Sequence, residues 1–384
     1  MGAAEEHLAA GGIYPLFSNG NFVVSSPNKK VGSNNLSGAV ALVDGITGNT
    51  IATLSGESAN DYFGFGGMLA KSRYDKLATT HPEASFLLTT SAQTPNGMIL
   101  LDSSGNTQST STTYNFTYDE KNAKLGGITA LKNGNFVISS IGHRVGGIAK
   151  AGSVKLVNGT TGALIATLAG ATDSDHIGST YVRALSNSNY VVASPLEDVG
   201  GLVNAGTVRL IRGSDGQVLA TFSGAAANYQ LGSGAVVELP DGGFAFGSAT
   251  ETVSGVANVG RIRIVNADGT LRSLIDGLSA TDGLGSSSIS YPGLVRLGDN
   301  ALVAISTQAT VGGVANVGRA RLINATSGAD ALELTGLNLT DNLGSAGIVP
   351  LSQNRFILRS PNHDHSGVTN AGMLHMIWAD DLNE

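Results

Sequence analysis

One pattern constrains this chain more than any other: an apolar residue followed by Gly returns at near-regular intervals. It stands in "AAGG" at Gly11, "DYFG" at Gly64, "AKLG" at Gly126, "DHIG" at Gly178, "YQLG" at Gly232, "DGLG" at Gly285 and "DNLG" at Gly344. The steps between these marks are 53, 62, 52, 54, 53 and 59 residues. Self-similarity at such a period is the signature of a repeat architecture. Seven marks imply seven units, at 11–64, 65–126, 127–178, 179–232, 233–285, 286–344 and 345–384.

The order inside a unit is constant, and the third shows it best. "GGITALKNGNFVISS" reads as a short apolar strand, a tight turn at Asn133–Gly134 and a second strand. Asn-Gly between apolar runs is a strong hairpin signal. A Gly-rich loop, "IGHRVGGIAKAG", leads to a third strand, "SVKLVNG", and a turn "NGTTG" to a fourth, "ALIATLAG". Four antiparallel strands per period predict an all-β, seven-bladed β-propeller forming one domain over 1–384. A sandwich of unrelated hairpins is the alternative. Runs such as "NFVISS" are near-continuously apolar, as expected where both faces of a sheet are covered.

Composition agrees with this fold. Gly is abundant at 53 residues and charged residues make up only 13%, about half the usual share. With 41% hydrophobic residues the chain can bury a core. The net charge of −7 is spread without a basic stripe, which argues against a nucleic-acid partner. No apolar run approaches the roughly 18 residues that cross a bilayer, so membrane insertion is not expected. The start, "MGAAEEHLAAGG", lacks the regions of a signal peptide and reads as the beginning of a module excised from a longer polypeptide. The absence of Cys removes disulfides, thiolate metal sites and Cys nucleophiles.

An apolar-Gly entry, a hairpin, a small-residue stop such as "ASP" (Ala193–Pro195) and a strand like "GTVRLI" together resemble the FG-GAP repeat, which builds the propeller of integrin α-subunits. The flavour with "NGNFVVSSP" and "NGTTG" is similar to repeats of large exported bacterial proteins, including haemagglutinin-type adhesins. The resemblance implies a bacterial extracellular or cell-surface location and a role in adhesion. Two departures matter. The family's calcium loop lies in the first hairpin, but here those turns are short: "KNGN", "PDGG", "GDNA" and "SQNR". They cannot supply the six to eight oxygens that calcium takes, so no cofactor is expected there. The seventh unit also stops at "GMLHMIWADDLNE", where its fourth strand should begin, leaving a three-stranded blade with an open edge.

Alternation of loops puts the long second connection and the inter-unit loop on one face, the expected binding surface. Asp61, Asp175, Asp282 and Asp341 recur three positions before the closing Gly. Their repeat phase favours a structural role, accepting loop N–H groups, over a cation-binding ring. His143 and Arg144, Glu197 and Asp198, and His363, Asp364 and His365 break the repeat pattern and are the ligand-binding candidates, with Tyr62 beside Asp61. "HDH" could ligate zinc, but two ligands in a Gly-flanked loop are more often solvated. The second unit has an enlarged first hairpin, Lys71–Ala84, and a Tyr-bearing stretch, Thr112–Asn122, of the kind recognition surfaces use. Sequons at Asn35 and Asn115 are expected by chance in so Asn- and Ser-rich a chain.

No G-x-S-x-G or HExxH motif occurs, and the seven His are scattered. The chain is therefore expected not to be an enzyme; a carbohydrate-active site of paired carboxylates is the weakest of three readings. A module recognising a cell-surface glycan or protein is the first, and a structural spacer or assembly element of a surface layer or fibre the second.

Overall fold

The structure, a computed structural model, describes residues 12–15, 22–26, 28–55, 68–70, 84–89, 98–102, 125–158, 163–286, 293–352 and 354–378. Among them there are only strands, turns and loops. The first sheet holds β1 (Gly12–Pro15), β2 (Phe22–Ser26), β3 (Ala39–Val43) and β4 (Thr50–Ser55). The second holds β5 (Met68–Ala70), β6 (Ala84–Thr89) and β7 (Met98–Asp102), and the third β8 (Leu125–Ala130), β9 (Phe136–Ser140), β10 (Ser153–Val157) and β11 (Leu164–Ala169). The fourth is β12 (Tyr181–Ala184), β13 (Tyr190–Ser194), β14 (Thr207–Ile211) and β15 (Val218–Ser223); the fifth β16 (Val236–Glu238), β17 (Phe244–Ser248), β18 (Arg261–Val265) and β19 (Leu271–Asp276). The sixth is β20 (Leu294–Leu297), β21 (Ala301–Ser306), β22 (Arg319–Asn324) and β23 (Asp330–Thr335), and the seventh β24 (Ile348–Ser352), β25 (Arg355–Ser360) and β26 (Met373–Trp378). Strands run in sequence order across every sheet, antiparallel wherever pairing is recorded.

The repeat extends to hydrogen-bond register. Where the third strand pairs with the fourth, the register slips by one residue at the same place: Leu42/Val43, Leu156/Val157, Leu210/Ile211, Ile264/Val265 and Leu322/Ile323. Such a bulge strengthens the local twist just before the third turn. There a side chain rigidifies the chain: Asp44 Oδ1 accepts the N–H of Ile46 and Thr47, and Asn324 Oδ1 those of Thr326 and Ser327.

The sheets gather in two compact units. One takes in Met1–Gly178 with Ser186–Tyr190 and Arg212–Gln217, the other Ser179–Leu185, Val191–Ile211 and Val218–Glu384. In the first unit β5 lies against β1 and β8; in the second β20 lies against β16 and β24. First strands of successive sheets thus approach one another.

The core of the second unit lies between sheets. Val191, Ala193, Val208 and Leu210 of the fourth sheet pack against Val236, Phe244 and Phe246 of the fifth. The opposite face of the fifth, with Ala245, Ile262 and Ile264, packs against Leu294, Leu302 and Ala304 of the sixth. The other face of the sixth, with Val303, Ile305 and Leu322, meets Ile348, Phe356 and Leu358 of the seventh. Four second strands, β9, β13, β17 and β21, are buried at every position, whereas β25 of the seventh sheet alternates. Full burial of each large apolar side chain contributes about 1.5–3 kcal/mol.

The apolar-Gly mark has a steric explanation. Leu231, Leu284 and Leu343 belong to this core, and Ile177 is equally buried within the first unit. The glycines that follow, Gly178, Gly232, Gly285 and Gly344, all have positive φ, between 76° and 88°. A Cβ on Gly285 would stand 2.6 Å from the Cα of Gly247 on β17. Only Gly meets both demands.

Candidate functional site

In the third, fourth, fifth and sixth sheets the two long connections lie at one end, where they are zipped together. In the third, Ser174, His176 and Ile177 donate their N–H groups to Ala149, Lys150 and Ala151. In the fourth, Asn228, Gln230 and Leu231 do the same to Val203, Asn204 and Ala205, and in the sixth Asn342 and Leu343 to Asn316 and Val317. Within these four sheets the two loops lie together, as expected.

The second connection folds back as a miniature hairpin with paired residues at Val31–Asn34, Val145–Ile148, Val199–Leu202, Val253–Val256, Val311–Val314 and His365–Val368. In five of these both central residues have positive φ, as at Gly146 and Gly147 or Ser254 and Gly255. That is the type I′ turn, and Gly-Gly or Ser-Gly suits it. The hairpin tips project apolar side chains into solvent: Val203 is 53% exposed and Val368 60%, while Leu337 and Leu339 of a neighbouring closing loop are 77% and 59% exposed.

The residues that break the repeat fall on three consecutive positions of this loop. His143, Glu197 and His363 occupy the first of them, with Glu251 and Ala309 in the equivalent places. The structure turns this position inward, onto the third strand. Glu197 Oε1 and Oε2 accept from Arg209 at 2.5 and 2.6 Å, and Oε2 also from Thr207. Glu251 takes the same grip on Arg263, 2.7 Å at each oxygen. His143 Nδ1 lies 2.7 Å from Ser153 Oγ, buried. The partner always lies on the third strand, twelve residues on for Arg209 and Arg263, a spacing legible in the sequence but visible only once the hairpin is paired.

The second position holds Arg144, Asp198 and Asp364. Asp198 Oδ1 accepts the N–H of Asn204 at 2.8 Å, and Asp364 Oδ1 that of Asn370 at 2.7 Å, so both carboxylates brace the hairpin. Arg144 is exposed and donates to the carbonyl of Gly147. At the third position His365 is exposed and pairs through its backbone with Val368. Arg144 and His365 are thus the two of the seven candidates in described loops that face solvent.

The three recurrent aspartates among the described residues are buried and bind loop amides. Asp175 Oδ2 accepts from Ala171 and Thr172, Asp282 Oδ2 from Leu278 and Ser279, and Asp341 Oδ2 from Leu337 and Asn338. Two of them also reach the next sheet. Arg319 of β22 donates to Asp282 at 2.5 Å, and the N–H of Asp364 donates to Asp341 at 3.0 Å. Asp61 and Tyr62, the Lys71–Glu83 part of the enlarged hairpin, the Thr112–Asn122 stretch and Asn115 lie outside the described residues. Asn35 sits exposed in a described loop.

The seventh sheet departs from the Glu–Arg scheme. His363 and His375, at the loop and third-strand positions, meet edge to face with ring centroids 5.5 Å apart, and His363 Nδ1 lies 3.4 Å from Asp341 Oδ2. Burial pushes the His375 imidazolium's pKa down, the neighbouring His363 adds to this, and Asp341 opposes it. Burial would raise the Asp341 carboxyl, but the N–H groups of Asp364, Asn338 and Leu337, with His363, hold it below the usual carboxylate range. Among the described residues no three His, Asp or Glu side chains converge in a way that would hold a metal ion.

Three segments, 16–64, 130–179 and 184–223, match a family described as a repeat of unknown function (DUF5650). No curated protein sequence matches the chain. Among solved structures, the crystal structure of BamB from Moraxella catarrhalis is similar at 12% identity and a TM-score of 0.46, over 98% of this chain and 86% of that one.

Proposed function

We propose that this chain is a recognition module of an exported bacterial protein, a seven-bladed FG-GAP-like propeller that engages a cell-surface glycan or protein through its loop ends. The observation that carries the reading is the contrast within those loops. Their frames are built alike from inward-facing Asp, Glu and His, while side chains on the same loops are more than half exposed. Val203, Val368, Leu337 and Leu339, with Arg144 and His365 nearby in their own loops, are the kinds of groups found where surfaces meet partners. A rigid frame with variable tips also keeps the ordering cost of binding small.

The test is a glycan-array screen of the purified chain, in calcium and again in EDTA, with binding to host-type cell surfaces measured alongside. Saturable binding that Val203→Asp or Val368→Asp weakens supports the reading. Absence of binding to glycans and cells in both buffers would overturn it. A spacer or assembly role is the second reading, favoured by the seventh sheet: β26 lies at its edge and exposes Leu374, Met376 and Trp378.

A further inference from the structure

A cavity of about 390 Å³ opens among the first strands of the fourth to seventh sheets, all within the second unit. Its charged lining comes from Arg183 on β12, Glu238 on β16 and Arg296 on β20, and its apolar lining includes Val237, Val295 and Pro350. Two facts bear on these arginines. In the same unit Arg209, Arg261, Arg263, Arg272, Arg319 and Arg321 each meet a carboxylate. Among the described residues no ion pair engages Arg183, Arg296 or Arg355, all three exposed, and of these only Arg183 and Arg296 line the cavity. The repeat phase is the second fact. A buried Leu closes or directly follows the first strand at Leu131, Leu185, Leu239 and Leu297. The two positions before it are Thr129 and Ala130 in the third sheet, and the corresponding pair is Val349 and Pro350 in the seventh. Only the fourth, fifth and sixth sheets carry charge there, and all three charges line one cavity.

We propose that this cavity binds a small hydroxylated carboxylate, a sugar acid or similar compound, with Arg183 and Arg296 holding its carboxylate. A guanidinium matches a carboxylate through paired N–H donors. Two guanidiniums and one carboxylate leave one net positive charge, which suits a monoanion. A phosphate dianion would meet Glu238 as a like charge, whereas hydroxyl groups can donate to it. The volume lies in the range of small-molecule sites, and the Val and Pro side chains offer apolar walls for a ring. The cavity is built on strands and its assignment does not depend on the role of the loops.

The experiment is titration calorimetry of the full chain at low salt with glucuronate, glucose and inorganic phosphate. Arg183→Ala, Arg296→Ala and the double variant are compared after circular dichroism and melting show them folded. Saturable glucuronate binding, weakened at least about tenfold by each substitution and not matched by glucose, is the expected result. No saturable binding of glucuronate, or binding unchanged in the double variant, would overturn the proposal. So would phosphate binding as tight as glucuronate, which would reassign the cavity to a different anion.

Discussion

Arg319 Nη1 donates to Asp282 Oδ2 across 2.5 Å, joining the third strand of the sixth sheet to the closing loop of the fifth, with the two side chains only 7% and 1% exposed. The same guanidinium reaches Glu333 on its own sheet through Nε at 2.8 Å. Asp282 meanwhile holds the loop amides of Leu278 and Ser279. One carboxylate therefore organises a turn and ties two sheets together.

Removing Arg319 leaves the buried Asp282 carboxylate without its counter-ion, which destabilises by about 3–5 kcal/mol. Arg319→Ala should lower the urea midpoint accordingly. The double variant Arg319→Met/Asp282→Asn should lose less than the sum of the single changes, because the pair acts as one unit. A loss below about 1 kcal/mol for Arg319→Ala would mean that water reaches the pair and screens it.

Acid should loosen the seventh sheet in two stages. His375 has a folded-state pKa below its unfolded value of 6.5. Protonation therefore favours the unfolded chain, and stability begins to fall as pH drops through about 6.5. Asp341 is also held low, so its contribution is present above the ordinary carboxylate value near 3.9 and is lost as pH falls below it. The groups facing this pair are His363 and the N–H donors of Leu337, Asn338 and Asp364. Melting temperature recorded from pH 8 to pH 3 should show both stages. His375→Gln should abolish the upper one and Asp341→Asn the lower. An unchanged profile in His375→Gln would show that another group titrates there.

Glycines of the same backbone sign should differ sharply in tolerance. Gly147 and Gly285 both have positive φ, 90° and 85°. A Cβ on Gly147 meets nothing within 4 Å, whereas one on Gly285 runs into the backbone of Gly247. Gly147→Ala should cost about 1–2 kcal/mol, the conformational penalty alone. Gly285→Ala adds a backbone clash and should cost more, read from denaturant midpoints of the two variants. Equal losses would mean that the fifth sheet gives way easily at this contact.

Much of the architecture was legible without coordinates. The apolar-Gly period, the Asn-Gly turn at Asn133–Gly134 and the buried run Phe136–Ser140 each depend on a few neighbouring residues. Turn chemistry, positive φ and two-sided burial act at that range, so spacing and residue type carry them. The structural role of Asp175, Asp282 and Asp341 was legible for the same reason, since each carboxylate accepts from amides three or four residues away.

The destination of the loop outliers was not. His143, Glu197 and His363 look alike in sequence to Arg144 and His365, one or two residues on. Which of them turns inward is decided by the hairpin register, which sets Glu197 opposite Arg209 and His363 beside His375. Arg183, Glu238 and Arg296 are single charges in three separate strands, more than fifty residues apart, and nothing local links them. Sequence alone thus determined the repeating unit and the elements within it, because those follow from local backbone preference and the pattern of apolar residues. Only the tertiary structure decided which charges meet, because that depends on strand register and on how one sheet stacks against the next.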